Sequence, residues 1–163
     1  MPKKQHILSI GNKVDLNGRK YLVEHFIKHG GSGEVYQISR DQQKYALKLF
    51  FPYYQTMFKE DDKNMLQEIF DLQVREYTFL SSMNHPNIVR VIDSGIYSLR
   101  KVESKRLPIK SIERLPFIVE DFVDGPPLMQ ALSEFNINDN QAAQILLGIC
   151  EVVLHRWTVW QAS

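Results

Sequence analysis

The sequence predicts an α+β fold: an antiparallel sheet takes up one inserted helix and is followed by further helices. Three observations carry this prediction. Residues 13–51 form short strand-like runs separated by turn residues. The stretch Asn64–Met83 has helical periodicity with no proline or glycine. The chain then returns to strand composition before a second helical region.

Lys13-Val14-Asp15-Leu16 precedes Asn17-Gly18, a pair suited to the left-handed conformations of a two-residue hairpin. Strand-like runs then cover Tyr21–Ile27, Glu34–Ile38 and Tyr45–Phe51. Gly30, Gly31 and Gly33 punctuate one gap and Ser39–Gln43 the next, so an antiparallel meander is expected. Between Asn64 and Met83, Leu66, Ile69, Phe70, Tyr77 and Leu80 recur at helical spacing, the pattern of an amphipathic helix. His85-Pro86-Asn87 ends that helix, because a proline ring disfavours helical backbone at the residue before it. Ile88–Tyr97 and Leu115–Glu120 read as two more strands. Between them Ser98–Arg114 carries six basic residues against Glu103 and Glu113, and a solvated loop is expected there rather than a partner site. Asp124-Gly125-Pro126-Pro127 turns into a helix over Leu128–Phe135, and Asn138 or Asp139 can cap a last one.

Hydrophobic residues make up 44% of the 163 and charged residues 24%, which excludes a disordered chain and implies a packed core. Twenty basic against nineteen acidic side chains leave a formal net charge of +1. No global field therefore recruits nucleic acid or an anionic membrane. The single cysteine, Cys150, has no partner for an intramolecular disulfide, and a reducing, cytoplasmic setting is expected. The longest apolar stretch, Ala142–Leu154, is broken by Gln144 and Glu151 and is too short to cross a bilayer. The five histidines lack the close spacing with cysteines or carboxylates typical of zinc sites, so no metal site is expected.

Gly30-Gly31-Ser32-Gly33 lies between two strand-like runs. Such a turn can bring backbone N–H groups close to phosphate oxygens because no side chain intervenes; taken alone, a ligand-free hairpin is the stronger reading. A Walker A loop would need Gly-Lys-Ser/Thr at its end and a dinucleotide fingerprint a helix directly after it, whereas Glu34–Ile38 is a strand. Further on, the period of a strand puts Ala46 and Lys48 on one face. A small residue beside a lysine leaves room for a flat ring and supplies a cation for phosphates; a lysine on a solvated edge is the alternative. Glu76, on the following helix, would decide between them by pairing with Lys48.

In this order, Gly30–Tyr36, Ala46-Leu47-Lys48, Glu76, His85-Pro86-Asn87-Ile88-Val89 and Phe117–Phe122 resemble the small lobe of a protein kinase. The likeness is to serine/threonine kinases, bacterial ones included, and covers about residues 17–154. It implies ATP, with magnesium, as the ligand. Ile27, Val35 and Ala46 would line the adenine slot, and Gly30, Gly31, Ser32 and Gly33 would cover the phosphates. Lys48 would reach the α- and β-phosphates and pair with Glu76. Glu120 would guard the back of the pocket, while the backbone of Asp121 and Val123 would meet adenine. The resemblance divides the chain into an extension at 1–12, a small lobe at 13–120, an interlobe linker at 121–127 and the incomplete start of a helical large lobe at 128–163.

Two positions depart from the family pattern. Lys28 stands where the first glycine of Gly-x-Gly-x-x-Gly would fall, and a charged Glu120 stands where an apolar or hydroxylated residue is usual. Neither His-Arg-Asp nor Asp-Phe-Gly occurs, so the catalytic aspartate and the magnesium-holding side chains are absent; His155-Arg156 is followed by Trp157. The last helix is apolar almost all round, as in a helix buried inside a larger body. The expectation is therefore a truncated kinase, its ATP-binding portion unable to transfer phosphate alone. The alternatives are a nucleotide-sensing pseudokinase-like interaction module, or a half-enzyme completed in trans by a protein partner or separate large lobe covering 139–157.

Overall fold

The computed structural model describes residues 6–30, 32–51, 63–107, 113–126, 128–134 and 137–161. Strands β1 (Lys13–Leu16), β2 (Arg19–Gly30), β3 (Gly33–Arg40) and β4 (Gln43–Phe50) form the expected antiparallel meander. Asn17 and Gly18 take φ of 52° and 79°, the left-handed pair such a hairpin requires. Helix α1 (Lys63–Ser81) follows, then β5 (Val91–Ser98), the short α2 (Lys101–Ser104) and β6 (Arg114–Asp121). Helices α3 (Leu128–Glu134) and α4 (Asp139–Gln161) complete the described chain.

The described strands make one sheet in the order β1-β2-β3-β4-β6-β5, with every neighbouring pair antiparallel. Its two edges approach each other: the Asn17 side-chain amide donates to Asp93 Oδ1 at 2.9 Å and to the Ser94 carbonyl at 3.0 Å. The first hairpin thus closes onto β5, as a strongly twisted sheet allows.

Alternation sorts the strand residues. Tyr36, Ile38, Tyr45, Leu47 and Leu49 turn to one face and are buried with Val14, Leu16, Tyr21 and Val23. Ile7 and Leu8, from the segment before β1, are buried in the same core, as is Leu107. Helix α1 packs on β4, β5 and β6, with the buried Gln73 side chain donating to the Phe117 carbonyl at 3.4 Å. Asn138 caps α4 as its residue type predicts: its side-chain oxygen accepts from Gln141 N at 2.9 Å while Gln141 Oε1 accepts from Asn138 N at 3.0 Å.

The stretch 98–114 is not simply the solvated loop expected from its charge. Glu103 is fully buried, accepting from the Tyr97 hydroxyl at 2.9 Å, Arg100 N at 2.8 Å and Arg100 Nε at 2.7 Å. A buried carboxylate is tolerated when donors and a cation saturate it, and here they come from within six residues. Burial, followed by the bond to Glu103, pushes the Tyr97 phenol well above its usual range. Arg106, from the same stretch, donates to the carbonyls of His6 and Ile7 at 3.2 and 3.0 Å, holding the segment before β1 in place. Counting charges along the chain does not reveal this, because the donors and acceptors meet only after folding.

Candidate nucleotide-binding site

On β4 the residues between the core positions, Ala46 and Lys48, are half-buried on the opposite face. Lys48 Nζ donates to both carboxylate oxygens of Glu76 on α1, at 2.7 and 2.5 Å, and lies 4.6 Å from the Phe50 ring centroid. The two side chains remain 21% and 34% exposed, so the pair is fixed in geometry yet open to a ligand from one side. Lys48 is thus paired with Glu76 rather than left on a solvated edge.

Directly opposite residues on neighbouring strands share a face. Val35 is opposite Lys48 on β4 and opposite Lys28 on β2, so Lys28, Val35 and Lys48 form one row. Register shifts in β2 lie between Val23 and His25 and between Phe26 and Lys28. Ile27 stands at the second of these and is exposed, so the irregular backbone puts Lys28 rather than Ile27 opposite Val35.

The glycines of the turn are not equivalent. Gly33 has φ of 151°, and a Cβ there would lie 1.8 Å from the Leu49 carbonyl oxygen, so β3 meets β4 by a backbone approach that only glycine permits. A Cβ on Gly30 would meet nothing nearer than the Gly33 oxygen at 3.8 Å. Ser32 is half-buried and its carbonyl accepts from Phe51 N at 2.9 Å; Gly31 lies outside the described residues.

Glu120, on β6, is opposite Ala46, on the face that holds Lys48 and Glu76. Burial, and then the negative charge of Glu76, push its carboxyl above the ordinary carboxylate value; the Lys48 ammonium opposes this less strongly. Asp121 is held at the end of β6, its N–H donating to the Arg90 carbonyl at 3.0 Å and its carboxylate taking Arg90 Nε at 3.1 Å. Val123 beyond it is exposed. Val35, Ala46, Lys48, Glu76 and Glu120 thus gather on one face of the sheet, with the glycine turn at one end and Asp121 and Val123 at the other.

A second cluster escaped the sequence reading. His6, His29 and Glu34 bring one ligand atom each within 4.8 Å of one another. His29 and Glu34 are opposite each other across the glycine turn, and that symmetry was legible; the arrival of His6 was not.

The architecture is that of a protein-kinase small lobe with the beginning of the large lobe. The kinase domain of Mycobacterium tuberculosis PknI superposes with a TM-score of 0.54 and 21% identity, covering 89% of this chain and 49% of that one. A point-mutant form of that domain gives 0.55 and 20%, covering 91% and 51%. Among curated proteins, the serine/threonine-protein kinase SSN3 of Coccidioides immitis (strain RS) is 34% identical over 95 residues, which is 56% of this chain and 19% of that protein. No protein-family model matches. The fold is protein-kinase-like, and the chain spans about half the length of the solved domains and about a fifth of the curated relative. Among the described residues, no helix is long and apolar enough to cross a membrane.

Proposed function

We propose that this chain is the ATP-binding portion of a serine/threonine protein kinase-like domain. The observation that carries the reading is the Lys48–Glu76 pair, a half-buried cation held by a bidentate carboxylate beside a small residue, Ala46, on an open sheet face. A flat ring needs a position without a bulky side chain, and phosphates need a cation that is not buried; both requirements are met there. Val35 and Ala46 would bound the adenine slot with Ile27 at its rim. Backbone N–H groups of Gly30–Gly33 would face the phosphates, and Asp121 and Val123 would offer backbone groups to the base. Lys28 adds a second cation to the row that holds Lys48.

ATP supplies the transferable phosphoryl group in such a domain, and magnesium neutralises its charge. The residues of this chain bind and orient, since the sequence carries neither His-Arg-Asp nor Asp-Phe-Gly. The half-enzyme reading, with a small lobe at 13–120, a linker at 121–127 and a helical body starting at 128, draws support from α4. Leu146, Leu147, Ile149 and Val153 are exposed there, and a helical body from the same polypeptide or a separate chain would cover them.

The test is a fluorescent-ATP titration of the purified chain with and without magnesium, repeated with Lys48→Met. The expected result is weak binding that falls about tenfold or more in the variant, the scale of one lost charge-assisted contact. Equal affinity in the two proteins would remove Lys48 from the site and with it the basis of the reading.

A further inference from the structure

The face of the glycine-turn hairpin opposite Lys48 carries the second cluster. Glu34 is completely buried and directly follows Gly33. Its Oε2 accepts from the Ile7 N–H at 2.9 Å and from the Tyr36 hydroxyl, and that hydroxyl accepts the Leu8 N–H at 3.0 Å. With Oε2 so held, Oε1 faces two imidazoles: His29 Nδ1 at 3.4 Å and His6 Nδ1 at 3.9 Å. The His6 ring stacks on Phe26, centroids 3.7 Å apart at 21°, and its buried Nδ1 has no hydrogen-bond partner among the described residues.

We propose that His6, His29 and Glu34 form a zinc-binding site that fastens the segment before β1 to the glycine-turn hairpin. Two imidazole nitrogens and one carboxylate oxygen are the donor set of a three-ligand zinc centre, with water in the fourth position. Bonds of about 2.0–2.1 Å in a tetrahedron place neighbouring donors about 3.3–3.4 Å apart. The His29–Glu34 distance of 3.4 Å already meets that spacing, whereas His6 Nδ1, 3.9 Å from Glu34 in a donor set spread over 4.8 Å, has to close in by about 0.5–1.4 Å. The Ile7 N–H and Tyr36 hydroxyl on Oε2 do what outer partners of a ligating carboxylate do, fixing which oxygen points at the metal. An ordinary salt bridge needs one histidine; the second, stacked and aimed at the same oxygen, is what points to a cation. A metal here would join residue 6 to residues 29 and 34, so the turn would move only together with the segment that Arg106 clamps.

The test is calorimetric titration of zinc chloride into the tag-free, chelator-treated chain, with His6→Ala, His29→Ala and His85→Ala as variants. The two cluster histidines are part-exposed, so their variants retain the core, which circular dichroism checks. One zinc per chain is expected with Kd below about 100 µM, weakened about tenfold or more in His6→Ala and His29→Ala and unchanged in His85→Ala. Zinc should also slow amide exchange at Ile7 and Leu8. Lys48→Met should bind zinc normally, which separates this site from the nucleotide reading. Absence of binding, wild-type affinity in either cluster variant, or unchanged exchange at Ile7 and Leu8 would each leave an ion pair and overturn the proposal.

Discussion

Lys48 and Glu76, 28 residues apart, meet at 2.5–2.7 Å across the boundary between β4 and α1. The pair ties the helix to the strand while leaving the ammonium accessible, so its consequences divide between binding and stability. A partly exposed ion pair contributes about 1 kcal/mol or less to folding. The positioning of the cation matters more for a phosphate ligand. Glu76→Gln is expected to lower ATP-analogue affinity about tenfold while changing urea-unfolding stability by about 1 kcal/mol or less. A variant that loses stability heavily but binds like wild type would make the pair purely structural.

The two described glycines of the turn should respond oppositely to an added methyl group. At Gly33 the new Cβ would sit 1.8 Å from the Leu49 carbonyl oxygen, with backbone rather than a yielding side chain in the way. Gly33→Ala should therefore cost about 2 kcal/mol or more, whereas Gly30→Ala should stay within about 1 kcal/mol of wild type. Chemical denaturation of both variants measures this, and equal losses would mean that β3 and β4 can separate locally without penalty.

The sequence disclosed what local chemistry controls. Asn17-Gly18 demands left-handed φ, the spacing from Leu66 to Leu80 demands a helix, and Ala46 and Lys48 must share a strand face; all three are seen. The Lys48–Glu76 pair was legible because each partner stands on an element whose own pattern is strong. What stayed hidden depends on packing between remote segments. Ile7 and Leu8 are buried in a segment whose backbone is held by remote partners, Arg106 on the His6 and Ile7 carbonyls and the Tyr36 hydroxyl on the Leu8 N–H. Glu103 is buried because Tyr97 and Arg100 fold over it. Irregularity in β2 decides that Lys28 rather than Ile27 is opposite Val35, and no composition rule locates a bulge to one residue. The His6, His29 and Glu34 cluster stayed hidden for the same kind of reason, since His6 reaches Glu34 only after the first segment has docked.

Glu120 should make stability depend on pH with a definite sign. Its carboxyl is raised in the folded chain by burial and by Glu76. Its contribution is therefore fully present below the ordinary carboxylate value and is lost as pH rises through the folded value. Glu120→Gln keeps the shape and removes the ionisation. The variant should match wild type in acid, near pH 4, and exceed it in melting temperature at neutral pH, with the gap opening above the ordinary carboxylate value of about 4.3. Melting curves across that window check the sign; a gap that closes with rising pH would mean that Glu120 is stabilised as the anion.

Helix α4 carries the last prediction. Leu146, Ile149 and Val153 follow one another at three and four residues and form a stripe, with Leu146 at 62% and Val153 at 61% exposure. Covering a large apolar side chain is worth about 1.5–3 kcal/mol when complete, so half-covered residues contribute about 1 kcal/mol each. Several such residues only approach the 4–15 kcal/mol or so that association costs in lost freedom. Self-association should thus be weak and concentration-dependent rather than a stable dimer. Light scattering over a concentration series should show the mass rising for the wild-type chain and staying monomeric for the triple variant Leu146→Gln, Ile149→Gln, Val153→Gln. A chain ending at Glu134 should also remain monomeric and keep its sheet signal, because every described core residue precedes α3 and α1 packs on β4, β5 and β6. A wild-type chain that is monomeric at every concentration, with the α4 amides strongly protected, would show that this stripe is covered from within.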